Sequence, residues 1–233
     1  WNVSAEEIAG YTGTNRVRLI NDLEAIAASV GVLEGDEITV LQEGVANPEG
    51  NAAVIAAGTG LGQAVLHRVN GTLVPMPSEG GHADFAPRTD REMALVHLLT
   101  RKFGRAEVEQ VLSGPGLVHL FELTHARERC AAALSGGPTP ADISQAALTR
   151  TCPACVEALD LFVSAYGAEA GNLALRCVAT AGVFVGGGIA PQILPALLNG
   201  EFMHAFRGKA PMRELVSRMP VRVILNPDAG LMG

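Results

Sequence analysis

Two short apolar runs, each followed directly by a cluster of glycines, constrain the fold of this chain more than any other feature. Ala52–Ala57 is a strand candidate that runs into Gly58-Thr59-Gly60-Leu61-Gly62, and residues 182–185 run into Gly186-Gly187-Gly188. Short apolar runs bounded by glycine are typical of strands buried within a sheet. Buried strands need apolar elements packed against their faces, and the helical patterns elsewhere in the chain can supply them.

The other patterns predict both strands and helices. Further strands are predicted at residues 16–20, 63–67, 72–75 and 221–225, and Asn70-Gly71 is a strong hairpin signal. Helices are predicted at residues 23–30, 91–103, 117–124 and 155–179, and from Ile189 onward. Gly114-Pro115-Gly116 is predicted to break the chain, and Thr139 with Asp142 resembles a helix N-cap with an acidic residue at N3. We expect an α/β protein with a mixed sheet flanked by helices.

The composition is that of a globular protein and argues against a nucleic-acid surface. Of 233 residues, 48% are hydrophobic and 18% charged; the formal net charge is −7, and no run of Lys or Arg forms a basic stripe. No apolar stretch approaches the roughly 18 residues that a membrane-spanning helix needs. The cysteines are too few and too irregularly spaced for a secreted disulfide framework, so we expect a cytoplasmic protein; they are Cys130, Cys152, Cys155 and Cys177.

Cys152 and Cys155 form a C-x-x-C pair. Such a pair can be half of a zinc site, but no second pair or histidine cluster follows at a useful spacing. We therefore expect a structural role for both cysteines and no bound metal. The histidines other than His82, His125 among them, match no motif and are predicted to be surface or packing residues.

The two glycine turns have backbone N–H groups that can bind a phosphate. Neither turn continues into Gly-Lys-Ser/Thr, and neither has the dinucleotide spacing G-x-G-x-x-G. The glycine pattern alone is compatible with either a phosphate-binding loop or a purely structural turn.

A third glycine pair lies within Ser78-Glu79-Gly80-Gly81-His82-Ala83-Asp84-Phe85-Ala86-Pro87. Glycine tolerates φ > 0 and the close approach of another group, so Glu79 and His82 can face one small polar ligand. A ligand with several hydroxyls needs such a mixture of acceptors and donors. A surface turn between a hairpin and a helix explains the segment equally well.

Five segments in a fixed order make the chain resemble the bacterial glucokinases of the hexokinase type, within the actin-like ATPase superfamily. They are residues 20–25 (INDLEA), 58–62 (GTGLG), 79–87 (EGGHADFAP), 109–118 (EQVLSGPGLV) and 186–191 (GGGIAP), and they cover nearly the whole chain. The resemblance implies an actin-like ATPase (ribonuclease H-like) fold, mostly its large domain. It also implies ATP-dependent phosphorylation of glucose to glucose 6-phosphate, the entry step of glycolysis.

The resemblance implies that Asp22 is the catalytic base, which accepts the proton of the attacking sugar hydroxyl during phosphoryl transfer. Asn21 would orient the sugar, and Glu79, His82 and Glu109 would bind its other hydroxyls. The alternatives are a helix N-cap for Asp22, a core histidine with satisfied hydrogen bonds for His82, and a solvated charge on a helix face for Glu109.

The resemblance also assigns the two glycine turns. Gly58, Thr59 and Gly60 resemble the family's second phosphate loop, and Gly186, Gly187 and Gly188 resemble its adenosine loop, where missing side chains leave room for the purine and ribose. ATP is therefore the implied co-substrate, and Mg²⁺ is implied as the ion that neutralises charge between the phosphates. No pattern of protein ligands fixes a permanent metal.

The chain departs from the family pattern at both ends. The family's first phosphate loop is Asp-Gly-Gly-Thr, which has no counterpart in residues 1–19, and residues 227–233 resemble the turn before the family's final helix. We expect a fragment with doubtful activity of its own. Its expected parts are a remnant of the small N-terminal domain and hinge (1–32), the large domain (33–220) and a truncated return strand to the small domain (221–233).

Two other functions stay open from the sequence. One is a kinase for another hexose or an amino sugar, because specificity depends on a few hydroxyl contacts. The other is a non-catalytic sugar-binding sensor. The resemblance also makes a homodimer an expectation, although no residue pattern points to one.

Overall fold

The computed structural model of the chain describes residues 3–125 and 137–232. The strands are β1 (Ile38–Gln42), β2 (Ala52–Ala57), β3 (Leu61–Val69), β4 (Thr72–Ser78), β5 (Gly182–Gly186) and β6 (Val221–Ile224). The helices are α1 (Ala5–Thr12), α2 (Asp22–Ser29), α3 (Asp90–Phe103), α4 (Gly114–Thr124), α5 (Pro140–Leu148), α6 (Pro153–Cys177), α7 (Ile189–Gln192), α8 (Leu194–Leu198), α9 (Glu201–Arg207), α10 (Arg213–Arg218) and α11 (Ala229–Met232). Short 3₁₀ turns lie at Gly35–Glu37 and Gly80–His82.

The strands form one six-stranded mixed sheet in the order β1-β6-β5-β2-β3-β4. The central strands β2, β5 and β6 run parallel, whereas β1, β3 and β4 join antiparallel at the two sides. All residues of β2 and β5 are buried. The α/β prediction with a mixed sheet is therefore confirmed.

Alternate residues of β2 enter two different hydrophobic cores, because successive side chains of a strand point to opposite faces. Ala53, Ile55 and Ala57 belong to the larger core, which also includes residues of α4, α5, α6 and α9. Ala52, Val54 and Ala56 belong to a smaller core with residues of α2 and α11. Helices thus cover both faces of the sheet.

The longest helix, α6, packs very closely against α9. A Cβ placed on Gly167 would lie 2.0 Å from the Phe202 carbonyl oxygen, and one on Gly171 would lie 2.7 Å from that of Phe206. The two glycines therefore permit close helix packing. None of the described helices is long and apolar enough to span a lipid bilayer.

Several local predictions are confirmed. β2 has the predicted bounds, and Asn70 and Gly71 adopt φ of 49° and 80° between β3 and β4. Two positive φ angles are what a two-residue hairpin turn of this type requires. Thr139 and Asp142 form a capping box at the start of α5.

Two local predictions are wrong. Residues 16–20 are not a strand; Leu19 and Ile20 are exposed, so this apolar run has no neighbouring strand or core to pair with. Gly114-Pro115-Gly116 does not break the chain but forms the first turn of α4, where the Ser113 hydroxyl accepts from the Gly116 N–H at 3.1 Å. Proline is tolerated there because the first N–H groups of a helix have no partner within it.

β1 was not predicted from the sequence, and β6 lies between it and β5 in the sheet. Residues 221–224 therefore belong to the same sheet as β2 and β5. The division of the chain at residues 32 and 220 stays a prediction.

Candidate functional site

A cleft of about 430 Å³ lies where β2 ends and brings together most of the predicted site residues. Its polar and glycine lining consists of Asn21, Asp22, Gly58, Thr59, Gly60, Gly62, Ser78, Glu79, Glu109, Gly187 and Gly188. Leu23, Ile26, Ala56 and Leu61 complete the wall. Of the predicted site residues, His82 and Gly186 lie outside this lining.

Asn21 and Asp22 lie at the start of α2. Asn21 is the N-cap, and its Oδ1 accepts from the Leu23 N–H at 2.8 Å; Asp22 is the first helical residue, and its Oδ1 accepts from the same N–H at 2.8 Å. The N-cap alternative for Asp22 therefore does not hold. The Leu23 side chain packs on β3 at Gly62, where a Cβ would lie 2.9 Å from Leu23 Cδ2. This contact fixes the helix start, and with it the carboxylate, at the cleft.

The loop from Gly58 to Gly60 is a tight turn with two available backbone donors. The Gly58 N–H donates to the Gly60 carbonyl at 2.8 Å, and the Gly58 carbonyl accepts from the Gly114 N–H of α4 at 2.8 Å. The Thr59 side chain is exposed at the tip. Within the described residues, the N–H groups of Thr59 and Gly60 have no hydrogen-bond acceptor. Such a turn can bind the oxygens of an anion.

Glu109 lies directly beside this loop. Its Oε2 accepts from the Leu61 N–H at 2.8 Å, and a Cβ on Gly60 would lie 2.6 Å from that oxygen. Glu109 lies in the turn before α4 and is half-buried, so it is not a solvated charge on a helix face. A side chain at position 60 would therefore displace the Glu109 carboxylate from the loop.

The Glu-Gly-Gly-His turn is joined to Glu109 through the backbone. The Glu109 N–H donates to the Gly81 carbonyl at 2.8 Å, and the Val108 N–H donates to the Ala83 carbonyl at 3.0 Å. These bonds bring Glu79 and Glu109, which are thirty positions apart in the chain, into one cleft.

Gly80 and Gly81 allow close approach of neighbouring atoms and are not needed for their backbone angles. Neither has a positive φ, so that part of the expectation is wrong. A Cβ on Gly81 would lie 2.3 Å from the Leu61 carbonyl oxygen, and one on Gly80 would lie 2.4 Å from Gln63 Oε1. Gly81 excludes a side chain because the β3 backbone passes directly beneath the turn, whereas a side chain at Gly80 would displace the Gln63 amide.

His82 lies at the edge of the cleft among carboxylates. Its Nδ1 is 2.7 Å from Glu107 Oε2, and its Nε2 is 3.9 Å from Glu79 Oε2. The hydrogen bond with Glu107, followed by the charge of Glu109, raises the pKa of His82 above its ordinary value. Half of the side chain is exposed, so His82 is not a core histidine. The surrounding carboxylates therefore favour the protonated ring, in which both nitrogens are hydrogen-bond donors.

Glu107 is a member of this cluster that sequence reasoning missed. The hydrogen bonds from His82 and then Arg105 lower the pKa of Glu107. Glu107 and Glu109 are two positions apart, a spacing that in an extended segment points side chains to one side. That spacing was the sequence signal from which Glu107 could have been predicted as a neighbour of Glu109.

A second cleft, also of about 430 Å³, adjoins the first at Ile26, Gly187 and Gly188. Its other lining residues are Pro191, Gln192, Ile224, Leu225, Asn226, Pro227, Ala229 and Gly230. Gly187 has a φ of 83°, and a Cβ there would lie 2.3 Å from the Ala57 carbonyl oxygen. Gly186 is the last residue of β5, so only the later two glycines of the cluster line the clefts.

Tyr166 of α6 supports both glycine turns from within the core. Its hydroxyl is 3.2 Å from the carbonyls of Ile55 and Gly186 and 3.2 Å from the Ala57 nitrogen. The side chain is fully buried, and burial raises its pKa. Tyr166 therefore ties the end of β2 to the end of β5. The hydroxyl of a buried tyrosine needs a hydrogen-bond partner, but the sequence does not show which group that partner is.

The structure adds a histidine to the cysteine pair, while the expectation of a structural role without a metal stays a prediction. In the described part of the chain, His125, Cys152 and Cys155 place one ligand atom each within 4.8 Å of one another. The histidine precedes the cysteines in the chain instead of following them, which is why the motif search missed it. The cleft carboxylates form no comparable group among the described residues.

Comparison with known proteins identifies the family. The glucokinase family model matches residues 1–233. A glucokinase from Chelativorans sp. (strain BNC1) is 41% identical over 233 residues, which cover all of this chain and 67% of that protein. The crystal structure of a glucokinase from an Antarctic psychrotroph has a TM-score of 0.87 and 31% identity, covering all of this chain and 71% of that one.

A more distant structure, a ROK family glucokinase from Streptomyces griseus in complex with glucose and AMPPNP, has a TM-score of 0.62 and 20% identity. The match covers 98% of this chain and 69% of that one, and at this identity it shows the fold alone. The comparisons confirm the expected α/β actin-like ATPase fold. The residues of the cleft, the fold and the family match over the whole chain all agree. The chain belongs to the glucokinase family.

Proposed function

We propose that this protein transfers the γ-phosphoryl group of ATP to the 6-hydroxyl of glucose. The observation that carries the proposal is that Asp22, Glu79 and Glu109 line one cleft together with the Gly58-Thr59-Gly60 turn. Carboxylates accept hydrogen bonds from sugar hydroxyls, and the turn has N–H donors for phosphate oxygens. Both substrates therefore find complementary groups within one cleft.

Asp22 is the proposed general base. As the 6-oxygen of glucose forms its bond to the γ-phosphorus, the bond between that phosphorus and the β,γ-bridging oxygen breaks and ADP leaves. The hydroxyl proton passes to the Asp22 carboxylate. The bond from the Leu23 N–H holds Oδ1, so the orientation of the carboxylate is set before the sugar binds.

Glu79, Glu109 and His82 are the proposed contacts to the other hydroxyls. The two carboxylates are acceptors, whereas the raised pKa of His82 favours the ring as a donor. Asn21 has its Oδ1 engaged with the helix, which leaves its amide N–H₂ to orient the sugar.

The nucleotide is proposed to occupy both clefts. The N–H groups of Thr59 and Gly60 would bind the β- and γ-phosphates, and the apolar second cleft beside Gly187 and Gly188 would hold the purine and ribose. When bound, Mg²⁺ neutralises charge on the phosphates. The cleft fits this ion, since Asp22 and Thr59 have the hard oxygen donors that would hold it with its waters.

The two alternatives make different demands on the same cleft. A kinase for another hexose or an amino sugar would use the same base with a different set of hydroxyl contacts. A sugar sensor would need no base beside a phosphate-binding turn, so the presence of Asp22 and Thr59 in one cleft favours a kinase. We further propose a glycolytic role and a homodimer, both from the family resemblance, and a cytoplasmic location, from the small number and irregular spacing of the cysteines.

A coupled assay of ADP release with a panel of hexoses and amino sugars tests the proposal. It is run on residues 1–233 and on the complete product of the gene. Glucose is expected to give the highest kcat/KM in the complete product. A higher kcat/KM with another sugar would support the other kinase. If the complete product releases ADP with no sugar although glucose still raises its melting temperature, the protein is a sensor. Rapid turnover by residues 1–233 would overturn our expectation that they need a further phosphate loop.

A further inference from the structure

We propose that His125, Cys152 and Cys155 form a structural zinc site at the junction of α4 and α6. His125 follows the last residue of α4, Cys152 is the N-cap of α6, and Cys155 lies in its first turn. His125 Nε2 is 3.2 Å from Cys152 Sγ and 3.8 Å from Cys155 Sγ. Tetrahedral zinc with ordinary bond lengths places such donor atoms roughly 3.5–3.8 Å apart. The three side chains are therefore close to ligand geometry.

The hydrogen bonds of His125 select the ring nitrogen that faces the sulfurs. Its Nδ1 lies 3.1 Å from the Phe121 carbonyl oxygen and 3.0 Å from Thr124 Oγ1. A proton on Nδ1, donated to the carbonyl, leaves the lone pair on Nε2 for a metal. The Phe121 ring stacks on the imidazole with centroids 3.7 Å apart and fixes its plane. Metal-bound histidines are oriented in the same manner.

Both cysteines lie at the start of α6. The N-terminus of this 25-residue helix has a partial positive charge, which is complementary to the negative charge of a zinc-bound thiolate. Cys152 occupies the N-cap but makes no side-chain capping bond, so its sulfur does not serve the helix end. Both thiols are buried, Cys155 completely.

The donor set selects the metal. Two thiolates balance the charge of one Zn²⁺, so the bound site is neutral, as a buried site should be. Sulfur and imidazole favour zinc over Mg²⁺, which prefers oxygen. The fourth position of a tetrahedral ion would go to water or another side chain; Cys130 lies outside the described residues. No residue of either cleft belongs to this cluster, so the role we infer is structural.

The first test is the zinc content of the tag-free chain, purified without chelator and measured by mass spectrometry. About one Zn²⁺ per chain is expected in the unaltered protein and in Cys177→Ser. Cys177 is the matched control because it is also a buried thiol of α6, but its sulfur donates to the Leu173 carbonyl at 3.3 Å, at the other end of the helix. Cys155→Ser and His125→Ala are expected to lose most of the metal. Equal zinc in Cys155→Ser and Cys177→Ser would overturn the proposal.

A second test does not depend on the variants folding. Co²⁺ added to the metal-free chain is expected to give the visible bands of a tetrahedral ion and a thiolate-to-cobalt charge-transfer band. Zn²⁺, but not Mg²⁺, should then displace it and raise the melting temperature. Absence of the thiolate band would overturn the proposal, as would recovery of a Cys152–Cys155 disulfide from the unaltered protein purified with zinc present.

Discussion

The cleft and the His–Cys cluster are both built at helix ends, but they differ in donor chemistry and access. The cleft has oxygen donors around about 430 Å³ of open space, with the Thr59 tip exposed. The His–Cys cluster has nitrogen and sulfur donors, and both of its thiols are buried. An open site with available donors suits ligands that enter and leave. A buried, closely spaced set suits an ion that stays.

The largest expected effect is the loss of kcat when the proposed catalytic base in the cleft is replaced. Asp22→Asn is expected to lower kcat in the complete gene product by roughly 10²- to 10⁴-fold, because the proton of the sugar hydroxyl loses its acceptor. Glucose affinity should change by only a few-fold. Steady-state kinetics and calorimetry measure the two quantities.

Asp90→Asn is the matched control, since Asp90 is likewise the first residue of a helix, α3, and lies outside the cleft. It should leave kcat unchanged. Equal losses in both variants would show that the Asp22 effect comes from helix stability and not from catalysis.

The next effect tests whether the second cleft depends on one backbone conformation. Gly187→Ala introduces a side chain at a φ of 83° and places its Cβ 2.3 Å from the Ala57 carbonyl oxygen. We expect a loss of about 1–3 kcal/mol in the free energy of unfolding, measured in urea. Gly188→Ala has open space and a φ of −68°, so it should change that free energy by less than about 0.5 kcal/mol. A similar loss in both would contradict the account.

Tyr166→Phe tests whether the core supports the two glycine turns. The variant leaves the Ala57 N–H without its acceptor at 3.2 Å, and we expect a loss of about 1–3 kcal/mol in the free energy of unfolding. Tyr11→Phe is the control, because Tyr11 is 93% exposed. Amide hydrogen exchange should also increase at Ala57 in Tyr166→Phe alone; unchanged exchange there would argue against a supporting role.

The smallest expected effect concerns the charge of His82. Because its pKa is raised in the folded protein, the protonated ring contributes stability below its ordinary pKa, and this contribution is lost as the pH rises through the raised value. Glu107→Gln removes the largest cause, so the pKa of His82 should fall, as measured by NMR titration. Glu122→Gln, which removes an exposed carboxylate paired with Lys102, should leave it unchanged. A His82 pKa unaffected by Glu107→Gln would assign the shift to Glu109 instead.

The features that could be predicted from the sequence are those that depend on residues a few positions apart in the chain. β2, the Asn70-Gly71 hairpin and the Thr139 cap follow from propensities within a few positions. Residues 16–20 have the same local signal as a strand, but all except Val17 lie exposed and no described strand pairs with them, and local propensity cannot reveal that.

The cleft residues were predicted because they lie in segments that resemble the family. The residues that were missed make their contacts between segments far apart in the chain. Asp22, Glu79 and Glu109 were predicted from segments that resemble the family, whereas Tyr166 bonds to Ile55 across 111 positions and His125 contacts Cys152 across 27. Such contacts are set by helix packing on the sheet, which no spacing rule in the sequence encodes.

The most direct test of the central claim is a crystal structure of this protein with glucose. We predict that the sugar lies in the first cleft, with its 6-hydroxyl within hydrogen-bond distance of the Asp22 carboxylate and its other hydroxyls on Glu79 and Glu109. Glucose bound elsewhere, or in this cleft with its 6-hydroxyl turned away from Asp22, would contradict the account.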